Sequence, residues 1–363
     1  MDNEAIQPQH IAVITGASGM DGSLLVDNLL NRGDWRVFAL VRRRGSGGFP
    51  KRLIRVRGHT KLHIVYGDVT DAPCMDGLIG TACSVAFHEG ISPRNIAMFN
   101  LAANSFVGDS WKCPEEHVNT SVGGLLNILR AVSTHTPKSF VYQASTSEIF
   151  GSSPPPQNVQ TPFRPLSPYA VAKLAAHNLA GCYRNRGTNV WCGIMFNHEH
   201  ERRGMEFVTQ KLAFHTARIA RGIGPKHMTV GDLSSIRDWG NAREYVKAMV
   251  EFYLLSLRGV APQDVVIGTG KMTTCSQFFQ WCCECAKKHI RGRYEVTSDS
   301  LVFSDAFKRP NDVRELLADT SQIQKLLPDW SGGNAQEIAE DMTRHWMDAT
   351  EEEILNALVE SPA

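Results

Sequence analysis

The feature that most constrains this chain is its first strand and turn. Ile11-Ala12-Val13-Ile14-Thr15-Gly16 is a short β-branched run ending in glycine, and Gly19 and Gly22 follow at intervals of three. Apolar residues then recur at helical period from Ser23 to Asn31, and Gly33 stands where a helix would stop. Strand, tight turn and helix in that order present backbone N–H groups at a helix N-terminus, and missing β-carbons let a pyrophosphate approach them. Three glycines alone are weak, because glycine is common in any tight turn; the flanking strand and helix carry the reading. Further buried-strand patterns run over Arg36 to Val41, Leu62 to Tyr66, Met98 to Ala103, Ser139 to Ser145 and Val190 to Phe196. Helical patterns cover about Glu115 to Ser133 and Pro168 to about Arg186, the latter opened by Ser167, which can cap. Strands alternating with helices imply right-handed crossovers, so the expected fold class is α/β, a doubly wound parallel sheet.

From about Asn197 the alternation loosens into separate helices, Glu206 to Arg221, Asn241 to Leu257 and Ser276 to His289, with short strands at Met228 to Val230 and Val265 to Gly268. The expected division is therefore a dinucleotide-binding domain with the catalytic residues over 1–196 and, over 197–363, mainly a smaller substrate-binding lobe laid over the sheet's carboxyl edge, some of whose segments return to the first domain. The 363 residues are 42% hydrophobic and 21% charged, an ordinary globular balance, and a formal charge of +1 gives no bulk attraction to nucleic acid or anionic lipid. The basic stretch from Arg42 to Arg57 comes with no nucleic-acid module, so no such partner is expected. Met1 to His10 lacks the basic start and apolar run of a signal peptide, and no stretch approaches the ~20 apolar residues of a membrane span. Nine irregularly spaced cysteines do not make a secreted disulfide scaffold, so the cytoplasm is the expected compartment and no membrane partner is expected. Cys282, Cys283, Cys285 and His289 point different ways on one helix and match no usual zinc spacing, so no metal is expected. The acidic tail from Asp348 to Ala363, with Ile354, Leu355 and Leu358, reads as an amphipathic helix.

After the second strand, where an acid would hold an adenosine ribose, the chain reads Val41-Arg42-Arg43-Arg44, and basic residues there fit a 2′-phosphate. NADP is therefore expected over NAD, although a run of arginines is also a common solvated surface. Tyr169 and Lys173 stand four apart, on one face of the helix after Pro168. A phenol loses its proton near pH ~10, and a nearby ammonium charge would bring it toward a usable base. The strand before that helix ends in Gln143-Ala144-Ser145-Thr146-Ser147-Glu148, and strand carboxyl ends are where open α/β sheets bind ligands.

The glycine spacing resembles that of the extended short-chain dehydrogenase/reductase superfamily, whose Rossmann-type sheet carries a Tyr-x-x-x-Lys pair. Several local words further resemble GDP-mannose 4,6-dehydratases: Gln143 to Glu148, Ser167-Pro168-Tyr169-Ala170, Phe196-Asn197-His198-Glu199, Arg202-Arg203-Gly204, Phe207-Val208-Thr209-Gln210-Lys211 and Arg237-Asp238-Trp239-Gly240. The resemblance runs from the first strand to about Trp330. It implies that Tyr169 takes the proton of a sugar 4-hydroxyl while the C4 hydride goes to NADP, with Thr146 bonded to a hydroxyl near Tyr169. Glu148 then removes the C5 proton and assists loss of the 6-hydroxyl as water, and the hydride returns to C6. A simple hydride-transfer enzyme needs no such second acid/base. The resemblance also implies a set of cofactor contacts: Gly16, Gly19, Met20, Asp21, Gly22, Arg42, Arg43, Asp68, Val69, Leu101, Ala102, Ala103, Tyr169, Lys173, His198 and Arg203. Arg202 would reach the nicotinamide or its phosphates, and Asp68 would hold the adenine amino group or simply cap the next helix.

For a GDP-sugar substrate, Ser105, Ser147, Asn197, Val208, Lys211, Arg237, Arg309 and Asp312 are implied. Two departures stand out. Asn104-Ser105-Phe106 replaces the family's Gln-Ser-His where the hexose should lie, and the loop after Arg44 is shortened to Gly45-Ser46-Gly47-Gly48-Phe49-Pro50. Because that loop helps join the family's tetramers, a homodimer is expected, with a homotetramer as the alternative. An epimerase or 4-keto-reductase, a dehydratase of another GDP-sugar, and a non-enzymatic NADP or nucleotide-sugar sensor stay open as alternative functions.

Overall fold

Near-continuous Val/Ile/Phe runs suit strands covered on both faces, and seven of them form one parallel sheet: β1 (His10–Thr15), β2 (Trp35–Val41), β3 (Leu62–Tyr66), β4 (Ile96–Asn100), β5 (Phe140–Thr146), β6 (Val190–Met195) and β7 (Asp264–Ile267). The structure is a computed structural model that describes residues 7–43, 48–304 and 313–360. The strand order is β7-β6-β5-β4-β1-β2-β3. The chain walks outward from β1 to β3 and then crosses to β4 on the other side, so the carboxyl ends of β1 and β4 border the crevice where such sheets bind ligands.

Alternation along each strand divides the core. Ala12 and Ile14 of β1 face α1 (Met20–Arg32) and the helix Ala242–Leu257, in a cluster with Trp35, Phe99, Tyr142, Trp191 and Met249. Ile11 and Val13 face the helices Ala72–His88, Gly124–His135 and Pro168–Asn185, with Met75, Ile79, Leu125, Ile128 and Ala176. Gly33 ends α1 in the left-handed conformation, φ 81°, and its N–H bonds Leu30 O.

Three sequence expectations need correction. β4 ends at Asn100, not Ala103, because the N–H of Ala102 is taken by the Thr15 hydroxyl (3.2 Å) rather than by a strand. Helix Ala72–His88 was not foreseen: Pro73, Gly77 and Gly80 blur its period, while burial of Met75, Leu78, Ile79 and Ala82 holds it. The tail helix spans Glu351–Glu360, with Ile354 buried near Phe214 and Leu355 exposed.

Residues beyond 196 feed both halves of the molecule. They supply β7 and the sheet-covering helix Ala242–Leu257, while helices Val208–Ala220, Cys275–Lys288 and Ala335–Asp348 close around a separate core of Leu212, Phe278, Cys282 and Met342. Just past β6, the strand Asn197–Glu199 pairs in parallel with Trp239–Asn241 and carries the chain over the sheet's carboxyl edge. No helix among the described residues is long and apolar enough to cross a membrane.

A methyl at Gly22 would stand 2.3 Å from Gly16 O and 2.7 Å from Ala17 Cα, both backbone atoms that cannot step aside. Gly22→Ala should cost roughly 1–3 kcal/mol of stability through forced backbone movement, read as a lower midpoint in urea at unchanged slope.

Candidate active site

The glycine loop folds as its sequence demands. Gly16 has φ 68°, and a Cβ there would lie 2.8 Å from the Leu101 carbonyl and the Ala102 nitrogen, so glycine alone lets the turn after β1 lie on the chain leaving β4. Gly19 N bonds Gly16 O at 2.9 Å, and Gly19 stands as N-cap of α1 without a side chain over the helix N–H groups. Met20 and Asp21 open that helix. At the end of β2, Arg42 and Arg43 are both exposed; Arg42 Nη2 reaches Asn104 Oδ1 at 3.4 Å and Arg43 lies over the Tyr66 ring at 5.4 Å. Arg44 lies outside the described residues. Asp68 accepts from the N–H and hydroxyl of Thr70 (2.9 and 2.8 Å), whereas the cap of the next helix is Asp71, which accepts from Cys74 N. Val69 is buried, and its carbonyl accepts from Asn127 Nδ2 at 3.0 Å.

β5 is buried along its whole length and delivers Thr146 to the crevice. Thr146 Oγ1 accepts from the N–H of Glu148 at 3.3 Å, and the same side chain hydrogen-bonds Tyr169, favouring the phenolate. Ser167 caps the helix Pro168–Asn185 by accepting from Ala170 N (3.1 Å), which fixes Tyr169 and Lys173 in its first two turns, both buried. Lys173 Nζ donates to Ala144 O at 2.6 Å, and Gln143 Nε2 donates to the same carbonyl at 2.8 Å. Behind Gln143 the chain continues through Asn100 Nδ2 to Gln143 Oε1 and Thr15 Oγ1 to Asn100 Oδ1, both 2.7 Å.

Burial displaces both central side chains from their ordinary ionisation. Burial pushes the Tyr169 hydroxyl up to about 12, with Thr146 and the Arg203 charge pulling down and Glu148 pushing up. Burial likewise lowers Lys173 to about 8. Desolvation outweighs proximity here, and the Lys173 ammonium points to a backbone carbonyl.

Arg202 is held by α1. Its guanidinium binds Ser23 Oγ (3.1 Å) and Asp27 Oδ2 (2.6 Å), fastening the loop after Glu199 onto α1. Arg203 is the arginine whose charge acts on Tyr169; it pairs with Glu199 Oε2 at 2.5 Å, donates to His198 O and lies over Phe207 at 4.5 Å. Phe106, where the family has His, meets Phe207 edge-on at 5.8 Å, so the departure belongs to an aromatic stack backed by Arg203. Ser147 is buried, Ser105 and Val208 are exposed, and Lys211 is half-buried. Buried Arg237 donates through Nη1 to Ile236 O at 2.9 Å. Asn197 Oδ1 is buried with no hydrogen-bond partner among the described residues. Arg309 and Asp312 lie outside the described residues.

Sequence reasoning gave no role to Thr15, Asn100 or Gln143, whose signal was a polar side chain at a buried strand end. It also missed His117, buried against the Tyr169 ring at 5.9 Å and 84°.

Sheet order, glycine loop and the buried Tyr169–Lys173 pair define an extended short-chain dehydrogenase/reductase. The family model described as GDP-mannose 4,6 dehydratase matches residues 13–342. The chain is 35% identical over 339 residues to GDP-mannose 4,6 dehydratase 1 of Arabidopsis thaliana, covering 90% of this chain and 86% of the relative. It is 36% identical over 352 residues to the GDP-mannose 4,6 dehydratase of Homo sapiens, covering 90% and 88%. Among solved structures, DesIV of Streptomyces venezuelae, a dTDP-glucose 4,6-dehydratase, superimposes with TM-score 0.75 at 20% identity over 92% of this chain and 96% of that one. The chain belongs to the GDP-mannose 4,6-dehydratase family, and it is an enzyme.

Lys173 supplies a pH test. The native chain releases this proton near pH 8, whereas the unfolded chain holds it to 10.5. The unfolded state then binds more protons, so this group makes stability rise with pH between those values, by at most about 1.4 kcal/mol per unit. Lys173→Met should flatten the rise in urea stability between pH 8 and 10; an identical rise in wild type and variant counts against the buried, acidified ammonium.

Proposed function

We propose that this enzyme converts GDP-mannose to GDP-4-keto-6-deoxymannose with resident NADP. The observation that carries the reading is the convergence of Glu148 with Thr146 and Tyr169 at the end of β5, since a second acid/base beside the redox tyrosine suits elimination and is superfluous to plain hydride transfer.

The residues fit the cofactor. Gly16 and Gly22 let the backbone close into the tight turn before α1, the start of α1 offers N–H groups to a pyrophosphate, and the exposed Arg42 and Arg43 suit a 2′-phosphate. When bound, NADP accepts the hydride from C4 and gives it back at C6. Tyr169 takes the 4-hydroxyl proton at Oη as the phenolate, the form that Thr146 and Arg203 favour and that the Lys173 charge is assigned to support. Arg203 offsets negative charge beside Tyr169. The resulting ketone acidifies C5; Glu148 removes the C5 proton and passes it to the departing 6-hydroxyl, which leaves as water. The proton taken from the 4-hydroxyl balances the one that C5 regains. Burial of Tyr169, Lys173 and Thr146 keeps bulk water from the exchange. Asn197, Lys211 and Arg237, with Arg309 and Asp312, are assigned to the nucleotide, and the Phe106–Phe207 stack to one wall of the hexose site.

We further assign the working form as a homodimer in the cytoplasm. Exposed Trp111, Val118 and Val171 lie on adjoining segments, the turn Val107–Trp111 and the helices Pro114–Val118 and Pro168–Asn185. Together they supply an apolar face for a second copy. Val171→Glu should shift light-scattering mass from dimer to monomer.

Purified protein given GDP-mannose, GDP-glucose, UDP-glucose or dTDP-glucose should remove one water from GDP-mannose, seen by mass, without net NADPH. Net oxidation, or no reaction with any of the four, would sink the assignment. Glu148→Gln should lose dehydration by roughly 10²–10⁴-fold, the usual worth of a positioned acid/base, and dehydration at the wild-type rate would remove Glu148 from this role.

A further inference from the structure

A carboxylate is out of place in an anion site. Asp21 nonetheless stands in the first turn of α1, between Gly19 and Gly22, where the helix N-terminus offers its N–H groups to phosphate. Its Oδ1 is buried with no hydrogen-bond partner among the described residues, so the loop itself does little to quench the charge.

The quenching comes from the far side of the crevice. His198 Nε2 lies 2.9 Å from Asp21 Oδ2, and His198 Nδ1 lies 2.7 Å from Phe196 O. A carbonyl oxygen and an ionised carboxylate can only accept hydrogen bonds, so both ring nitrogens must donate. A neutral imidazole carries one N–H; two donors make His198 an imidazolium. Asp21 is the ionised partner, for although burial alone would raise its carboxyl, His198 and Arg203 bring it below its ordinary value.

The groups around the pair leave its charge intact. Tyr245 stacks on the imidazole at 4.4 Å and 23°, and burial keeps both it and Tyr142 protonated. Burial also holds His200 neutral, down to about 3. Arg203 would repel His198, yet it is itself paired with Glu199. Asp21 with His198 and Glu199 with Arg203 thus form two ion pairs whose charges sum to zero.

We propose that His198 is a standing cation that neutralises Asp21 at the mouth of α1, so that affinity for the dinucleotide phosphates depends on the His198 proton. The proposal rests on the cofactor reading above. Its sign follows from the pair: burial lowers the His198 pKa but Asp21 outweighs it, and the net shift is upward. The charge therefore persists past the usual histidine range, and affinity falls as pH rises through the elevated value, when a bare carboxylate is left beside the pyrophosphate.

The test is titration of the full-length protein with NADP⁺ by calorimetry from pH 6.5 to 9.5, alongside ¹⁵N-histidine NMR of the protein without cofactor. Wild type should bind roughly tenfold more weakly at the alkaline end, an electrostatic change of about 1.4 kcal/mol. His198→Gln should be weak throughout and keep only the pH dependence that Lys173 contributes. Asp21→Asn should bind at least as tightly as wild type with that same residual dependence, and adding it to His198→Gln should restore affinity to within about twofold. A flat wild-type curve, failure of the double variant to recover, or a singly protonated His198 at pH 7.5 overturns the proposal. If wild type binds no NADP⁺ at any pH, the cofactor reading falls instead, and the NMR arm still decides the charge of His198.

Discussion

The Ala144 carbonyl is the point on which the catalytic edge depends. Two donors meet on it, Lys173 Nζ at 2.6 Å and Gln143 Nε2 at 2.8 Å. Gln143 is in turn oriented by Asn100, and Asn100 by Thr15, whose oxygen accepts the N–H of Ala102. The chain runs through side chains at the carboxyl ends of β1, β4 and β5, so the glycine turn, the loop toward Phe106 and the catalytic helix share one buried set of hydrogen bonds. Unsatisfied polar groups in such a place are costly, which gives the three strand ends a common register beyond that of the ladder.

Burial sets the chemistry of the two central side chains. In water, a tyrosine and a lysine four residues apart would assist each other's ionisation; here each is pushed toward its neutral form. Thr146, from the end of β5, and Arg203, from the loop after Glu199, pull the phenol the other way. A residue from beyond position 196, Arg203, thus acts on the charge of a side chain carried by the helix Pro168–Asn185.

What the sequence disclosed follows from how local each signal is. The first strand, its glycine turn and α1 were legible because steric need at Gly16 and Gly22 leaves no other residue, and Tyr169 and Lys173 because helical spacing and Ser167 fix them locally. The helix Ala72–His88 was hidden because glycines within it conceal a pattern that tertiary burial enforces. The competing roles of Arg202 and Arg203 could not be told apart from adjacent positions, since Asp27 and Ser23, which claim Arg202, lie some 175 and 179 residues away in sequence. The burial of Tyr169 and Lys173 was equally out of reach, because desolvation depends on the whole fold and spacing does not report it.

The return of the chain to the sheet at β7 bears on how the molecule is made. Until Asp264–Ile267 emerges, β6 is an open edge with unpaired backbone groups, and the face under Trp35 and Trp191 has no cover until the helix Ala242–Leu257 arrives. His10, on the first strand, meets the Tyr253 hydroxyl at 2.7 Å across 243 residues. A nascent chain that has displayed all the residues of its catalytic strand and helix is still an unfinished sheet with a sticky edge. Growth of the polypeptide past residue 267 thus sets the earliest moment at which the sheet can close, and the preceding interval is the one in which a chaperone has a surface to protect.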